Sequence, residues 1–171
     1  LAVLTGARVL NGEYRLAPEH PFPAAVDDVV HTYRWLTERV DPTRVAVSGE
    51  SAGASLTLAL LVHARDEGAV LPRCAYLLSP APDMSESWSL ARSRVWRDPW
   101  ISVPMVDSVR RDYLGANQHL VVHPLVSPVF AELQGLPSML VQVGELEPFR
   151  DSILRFVGKA RRSGVDVTLD E

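Results

Sequence analysis

Gly49-Glu50-Ser51-Ala52-Gly53 is the segment of this 171-residue sequence whose residue types and spacing point most directly to chemistry. A serine flanked at two positions by glycines can serve as a nucleophile, but the bare pattern is weak. At ordinary glycine and serine abundance, a chain this long shows one by chance about one time in twenty. Its setting adds the weight. The motif directly follows the β-type run Val45-Ala46-Val47 and opens an apolar helical segment at Ala52. A strand–turn–helix junction of this kind lifts a serine hydroxyl out of a sheet. Small residues at Gly49 and Gly53 are expected to let strand and helix pass each other in a strained turn. The hydroxyl then lies at a helix N-terminus, whose partial positive charge and unpaired N–H groups favour a developing oxyanion. The Ala52 N–H is the expected donor.

Serine alone is a poor nucleophile; it needs a base, itself oriented by a carboxylate. Gly144-Glu145-Leu146-Glu147-Pro148-Phe149-Arg150-Asp151 follows another β-type run and offers three candidates for that acid: Glu145, Glu147 and Asp151. Where the acid follows a later strand in this way, the histidine comes after it in the chain. All five histidines (His20, His31, His63, His119 and His123) precede Glu145. His31 and His63 fall within helical segments and His20 and His123 beside prolines, so structural roles are expected for them.

The elements that must position these residues follow from hydrophobic periodicity. Ala7-Arg8-Val9-Leu10 reads as a strand, followed by a proline-punctuated loop over residues 16–23. Residues 24–39 place Val26, Val29, Val30, Tyr33 and Leu36 on one helical face. Residues 44–48 read as a strand and 52–67 as a helix, apolar almost all round and therefore buried, with Gly68 as its stop. Strands follow at 74–78, 138–143 and from Val165. A helix from Arg150 aligns Ile153, Phe156, Val157 and Ala160, carries Lys159, Arg161 and Arg162 near its end, and stops at Gly164. Alternating strands and helices predict an α/β fold with a mainly parallel sheet and crossover helices. Residues 82–137 stand apart as a long insertion with three of the four tryptophans (Trp88, Trp96, Trp100) and a helix over 103–114. Inserted after a strand's C-terminal end, it lies on the side where open α/β sheets bind ligands. It reads as a cap or pocket wall, or equally as plain packing.

Composition excludes several classes. The sequence is 47% apolar and 22% charged, with a net charge of -4 and no basic stripe, which argues against nucleic acid. The longest apolar stretch is far too short to span a bilayer. The lone Cys74 forms no internal disulfide, reads as a small buried core residue, and leans the localisation toward the cytoplasm. No Cys or His spacing suggests a metal. A homo-oligomer is compatible with the sequence.

Further segments carry a resemblance. Tyr14-Arg15-Leu16-Ala17-Pro18-Glu19-His20-Pro21-Phe22-Pro23-Ala24-Ala25 resembles the signature loop of the hormone-sensitive-lipase-like esterases, the GDXG lipolytic enzymes. Gly49-Glu50-Ser51-Ala52-Gly53 is similar to that family's Gly-Asp-Ser-Ala-Gly, with Glu50 in place of Asp and Ala54 in place of a further glycine. His123-Pro124-Leu125-Val126-Ser127-Pro128 and residues 136–144 match in order and spacing. The resemblance implies an α/β-hydrolase fold across the whole chain, hydrolysis of small-molecule carboxylic esters with short or medium acyl groups, and no cofactor. It makes Ser51 the nucleophile, the Ala52 N–H part of the oxyanion hole and Glu147 the acid. Glu145 is then the runner-up, and Asp151 a cap of the following helix. In the family pattern a His-Gly-Gly-Gly oxyanion loop falls before Leu1 and the catalytic histidine beyond Glu171. The expectation is thus a partial hydrolase domain, inactive by itself, lacking one central strand between those at 7–10 and 44–48. Two other readings use the same residues: a receptor-like ligand-binding hydrolase without a triad histidine, and an amide or peptide hydrolase.

Overall fold

The computed structural model describes residues 2–85, 98 and 100–171. Trp88 and Trp96 lie outside the described residues. A one-turn helix α1 (Ala2–Thr5) is followed by a loop that leads to α2 (Ala24–Thr37). Then come β1 (Ala46–Glu50), α3 (Ala52–Asp66), β2 (Cys74–Leu78), α4 (Val103–Leu114), β3 (Ser138–Gln142), α5 (Arg150–Arg162) and β4 (Val167–Asp170). The four strands form one sheet in the order β1-β2-β3-β4. Every pairing is parallel, with Gly49 opposite Leu77 and Leu77 opposite Val141.

Burial explains the layering. Ala75, Leu77, Met139, Val141 and Val167 point to one face of the sheet, where Leu58, Leu61 and Val62 of α3 and Ile153, Phe156 and Val157 of α5 meet them in one core. Leu58, Leu61, Leu77, Val141, Ile153 and Phe156 are all fully buried. Each such side chain contributes about 1.5–3 kcal/mol relative to leaving it in water. Helix α2 lays Val26, Val30 and Tyr33 against Val45, Leu56 and Leu60 in a second cluster. Gly68 and Gly164 stop α3 and α5 at φ of 68° and 80°, where a side chain would be strained.

Alternate residues on the strands face the other side, which explains the first of two corrections. Cys74 is only partly buried, because it points away from Ala75 and Leu77 onto the sheet face that α3 and α5 do not cover. Residues 7–10 form no strand: among the described residues the sheet ends at β1 and none offers them backbone partners, and Val9 and Leu10 stay 53% exposed. The chain runs instead into the loop over residues 14–23. There the Arg15 side chain donates to Asp28 at 2.8–3.2 Å, and the Arg15 N–H adds a bond at 2.9 Å. Phe22 packs edge-on against Tyr113 and tilts against His123, with ring centroids 5.9 and 5.7 Å apart. Two of the segments that carried the resemblance are thus joined in space, and His123 is a packing residue as expected.

The Arg15 bonds hold the Asp28 carboxyl down at about 2. A carboxylate depressed in the folded state contributes stability above its unfolded value of about 3.9 and loses that contribution as pH falls through the folded value. Asp28→Asn is therefore expected to lower the unfolding midpoint at neutral pH and to approach the parent below about pH 2. Denaturation curves at both pH values check this.

Candidate active site

β1 runs straight into α3, and Ser51 is the hinge between them. Its N–H donates to Leu78 O at 2.8 Å, which fixes the turn against the end of β2. Its backbone sits at φ 52°, ψ -116°, a region L-residues avoid, so the turn is strained as the sequence implies. A serine at a helix N-cap ordinarily accepts a hydrogen bond from the first turn. Ser51 makes no such bond, and its side chain is exposed at the helix mouth. Ala52 occupies the first position of α3, where the helix leaves backbone N–H groups without intrahelical partners.

The two glycines of the motif play different parts. A Cβ on Gly49 would meet the Gly53 carbonyl carbon at 2.2 Å and Ala54 N at 2.5 Å, so the close approach of strand and helix depends on Gly49. A Cβ on Gly53 would meet nothing within 4 Å, which corrects the expectation that both positions must be small. Ser55, one turn on, holds the junction from behind. Its Oγ donates to Ser51 O at 3.2 Å and accepts the Ala81 N–H at 2.9 Å.

Of the three candidate acids, Glu147 is tied to the end of the neighbouring strand β2 and to its own loop. Its Oε1 accepts from Ser79 Oγ and from the Gly144 N–H, each at 2.8 Å. Glu145 is exposed on the same loop and also lines the cleft. Asp151 is not the cap of α5. Phe149 occupies that position without a side-chain bond, and Asp151 stands in the first turn, where its charge complements the helix dipole.

Ser51, Ser79 and Glu147 open onto one cleft of about 650 Å³, ordinary for a small-molecule pocket. Trp100, Ile101, Met105, Leu146 and Phe149 supply its apolar walls, and Trp100 is 88% exposed there. None of the five histidines lines it. A second, shallower hollow of about 540 Å³ lies at Arg15 and Asp28, whose charges are spent on each other. Among the described residues no three His, Cys, Asp or Glu side chains are gathered for a metal ion, and no helix is long and apolar enough to cross a membrane. Sequence reasoning missed Ser55 and Ser79. The available signal for Ser79 was its place just past a strand's C-terminal end, the binding side of an open α/β sheet.

A parallel sheet with a strained serine between strand and buried helix, and a tethered carboxylate two strands away, defines an α/β hydrolase. The chain belongs to that family: the sequence model described as the alpha/beta hydrolase fold matches residues 1–171. It is 38% identical to an acetyl-hydrolase of Streptomyces hygroscopicus, over 97% of this chain and 55% of that protein. It is 32% identical to the carboxylesterase NlhH of Mycobacterium tuberculosis, over 98% of this chain and 55% of that one. Among solved structures, an esterase from the bacterial hormone-sensitive lipase family superposes with a TM-score of 0.86 at 42% identity, over 92% of this chain and 53% of that chain. The expected resemblance to hormone-sensitive-lipase-like esterases is borne out. The chain spans about half the length of the curated relatives it matches.

Proposed function

We propose that the whole protein hydrolyses small-molecule carboxylic esters with short or medium acyl groups, with Ser51 as nucleophile and Glu147 as triad acid. The observation that carries this reading is the strained, uncapped Ser51 at the mouth of α3, on one cleft with the tethered Glu147. The names of the relatives support it: acetyl-hydrolase, esterase, carboxylesterase.

In the proposed reaction Ser51 Oγ attacks the ester carbonyl while a base takes its proton. That base is a histidine from outside residues 1–171, as the family pattern has it. Glu147 fixes its tautomer and stabilises the charge it acquires. Negative charge developing on the carbonyl oxygen is met by the Ala52 N–H and the N-terminal end of α3. The alcohol leaves with the proton returned by the base, and water then cleaves the acyl-enzyme in the mirror-image step. This acyl transfer closes without a cofactor. We assign residues 82–137 the role of cap. Trp100, Ile101 and Met105 from this insertion face the cleft, while Leu114, Leu133 and Leu136 from the same stretch are buried in the cores.

The test uses the full-length protein with p-nitrophenyl butyrate and the matching anilide. Turnover of the ester far above the anilide is expected. Glu147→Gln should lower kcat roughly 10³- to 10⁴-fold, as for loss of a triad acid. Glu145→Gln should leave it within about two-fold, because the acid function rests on Glu147. Equal effects at the two positions would overturn the assignment of the acid, and preferred anilide turnover would overturn the ester reading.

A further inference from the structure

Among the described residues, two that are not glycine hold a positive φ: Ser51 at 52° and Ser79 at 50°. Both stand just past the C-terminal end of a strand, on adjacent strands β1 and β2, and both line the cleft. The nucleophile accounts for the first. Nothing in the proposed reaction has yet accounted for the second. A serine held in the left-handed region persists only where its surroundings impose it, and such residues cluster at functional sites.

The surroundings are specific. The Ser79 N–H donates to Gln142 O at 2.9 Å, which pins the residue to the end of β3, and buried Pro80 follows it. In that conformation Ser79 Oγ lies 2.8 Å from Glu147 Oε1, the same oxygen that the Gly144 N–H reaches at 2.8 Å. These two hydrogen bonds to the carboxylate both fall on Oε1, so Oε2 is the oxygen available to a base. A glutamate rotates easily about its last bond, whose torsion has no sharp minima. Glu147 also sits on a loop whose neighbours Glu145 and Leu146 are exposed. Without a partner across the sheet, the carboxylate would keep the Gly144 N–H of its own loop and lose its tie to the neighbouring strand end.

We propose that Ser79 is a positioning residue, which locks Glu147 Oε1 from the neighbouring strand end so that Oε2 is presented to the base. This rests on the reading of Ser51 and Glu147 as nucleophile and acid. A misplacement of about 1 Å in a catalytic group can cost on the order of 100-fold in rate. Glycine is the informative replacement, because it adopts φ near 50° freely and removes only the hydroxyl.

The experiment measures ester hydrolysis and thermal unfolding of the full-length protein. Ser79→Gly is expected to lower kcat roughly 10- to 100-fold, with KM within about two-fold and Tm not reduced. Ser79→Gly in a Glu147→Gln background should cost little more than Glu147→Gln alone, since groups that act as a unit are not additive. Unchanged kcat in Ser79→Gly beside an inactive Ser51→Ala would overturn the proposal and leave the nucleophile standing. Losses that simply multiply in the double variant, or a kcat loss that follows a fall in Tm, would also overturn it. Full activity in Ser51→Ala would remove the reading on which it rests.

Discussion

Ser51→Ala in the full-length protein is expected to lower kcat for p-nitrophenyl butyrate by roughly 10⁴-fold or more, with the fold intact. The size follows from how a triad works. Once the attacking oxygen is gone, no acyl-enzyme forms, and only binding and oxyanion stabilisation of a water attack remain. Stability should move by less than about 0.5 kcal/mol, because Ser51 is exposed and its hydroxyl does not cap α3. Alanine must still adopt φ near 52°, so the strain is common to both proteins. A second readout is covalent. An organophosphate should add one phosphyl group to Ser51 of the parent, detected by mass spectrometry of the peptide, and none to the variant. Unimpaired hydrolysis by Ser51→Ala, or labelling that persists at another serine, would sink the assignment.

Local pattern carried most of the scaffold. Both β2 at Cys74–Leu78 and α4 at Val103–Leu114 fall at the bounds periodicity implies. Where the two differ, a specific competing interaction decides. β1 starts at Ala46 because Asp41 accepts the Thr43 N–H at 2.9 Å and winds Pro42–Arg44 into a 3-10 turn. It then runs on through Gly49 because pairing with Leu77 outweighs the poor strand propensity of glycine. Val165 is not yet strand, since its N–H closes the end of α5 on Ala160 O at 3.0 Å.

The site was legible in one half only. Ser51 and Ala52 are neighbours in a short motif, and a strand–turn–helix pattern is local by nature. Preferring Glu147 to Glu145 as the proposed acid rested on the family resemblance, because both follow the same strand, and the cross-sheet contact that supports the preference is not local. That contact comes from Ser79, 68 residues away in the chain, and no periodicity reports such a bond. The exposed Trp100 at the cleft mouth illustrates the same limit. Its place in the insertion suggested either packing or a pocket wall, and only the third dimension puts it on the same cleft as Ser51.

Gly49→Ala is expected to be the most destabilising single-methyl change in the elbow, and Gly53→Ala among the mildest. The asymmetry is geometric. At Gly49 the new Cβ would stand 2.2 Å from the Gly53 carbonyl carbon and 2.3 Å from its oxygen. Those atoms belong to backbone, so no side chain can swing aside; α3 must move away from β1. Yet α3 carries Leu58 and Leu61, both fully buried at the centre of the larger core, so any shift reopens packing along the helix. Overpacking ordinarily costs about 1–3 kcal/mol, and a rigid backbone clash belongs at the upper end. About 3 kcal/mol corresponds to a Tm lower by roughly 6–12 °C in a domain of this size. Activity should fall further than stability, because a displaced α3 carries the Ala52 N–H away from the position it shares with Ser51. Gly53 sits inside the first turn of α3 with open space around its Cα. Alanine there replaces a poor helix former with the best one, so Tm should hold or rise, by up to about 1 kcal/mol in stability. Paired thermal melts of the two variants decide the matter. If Gly49→Ala melts with the parent, the close approach of strand to helix is not what holds Ser51 in its strained turn.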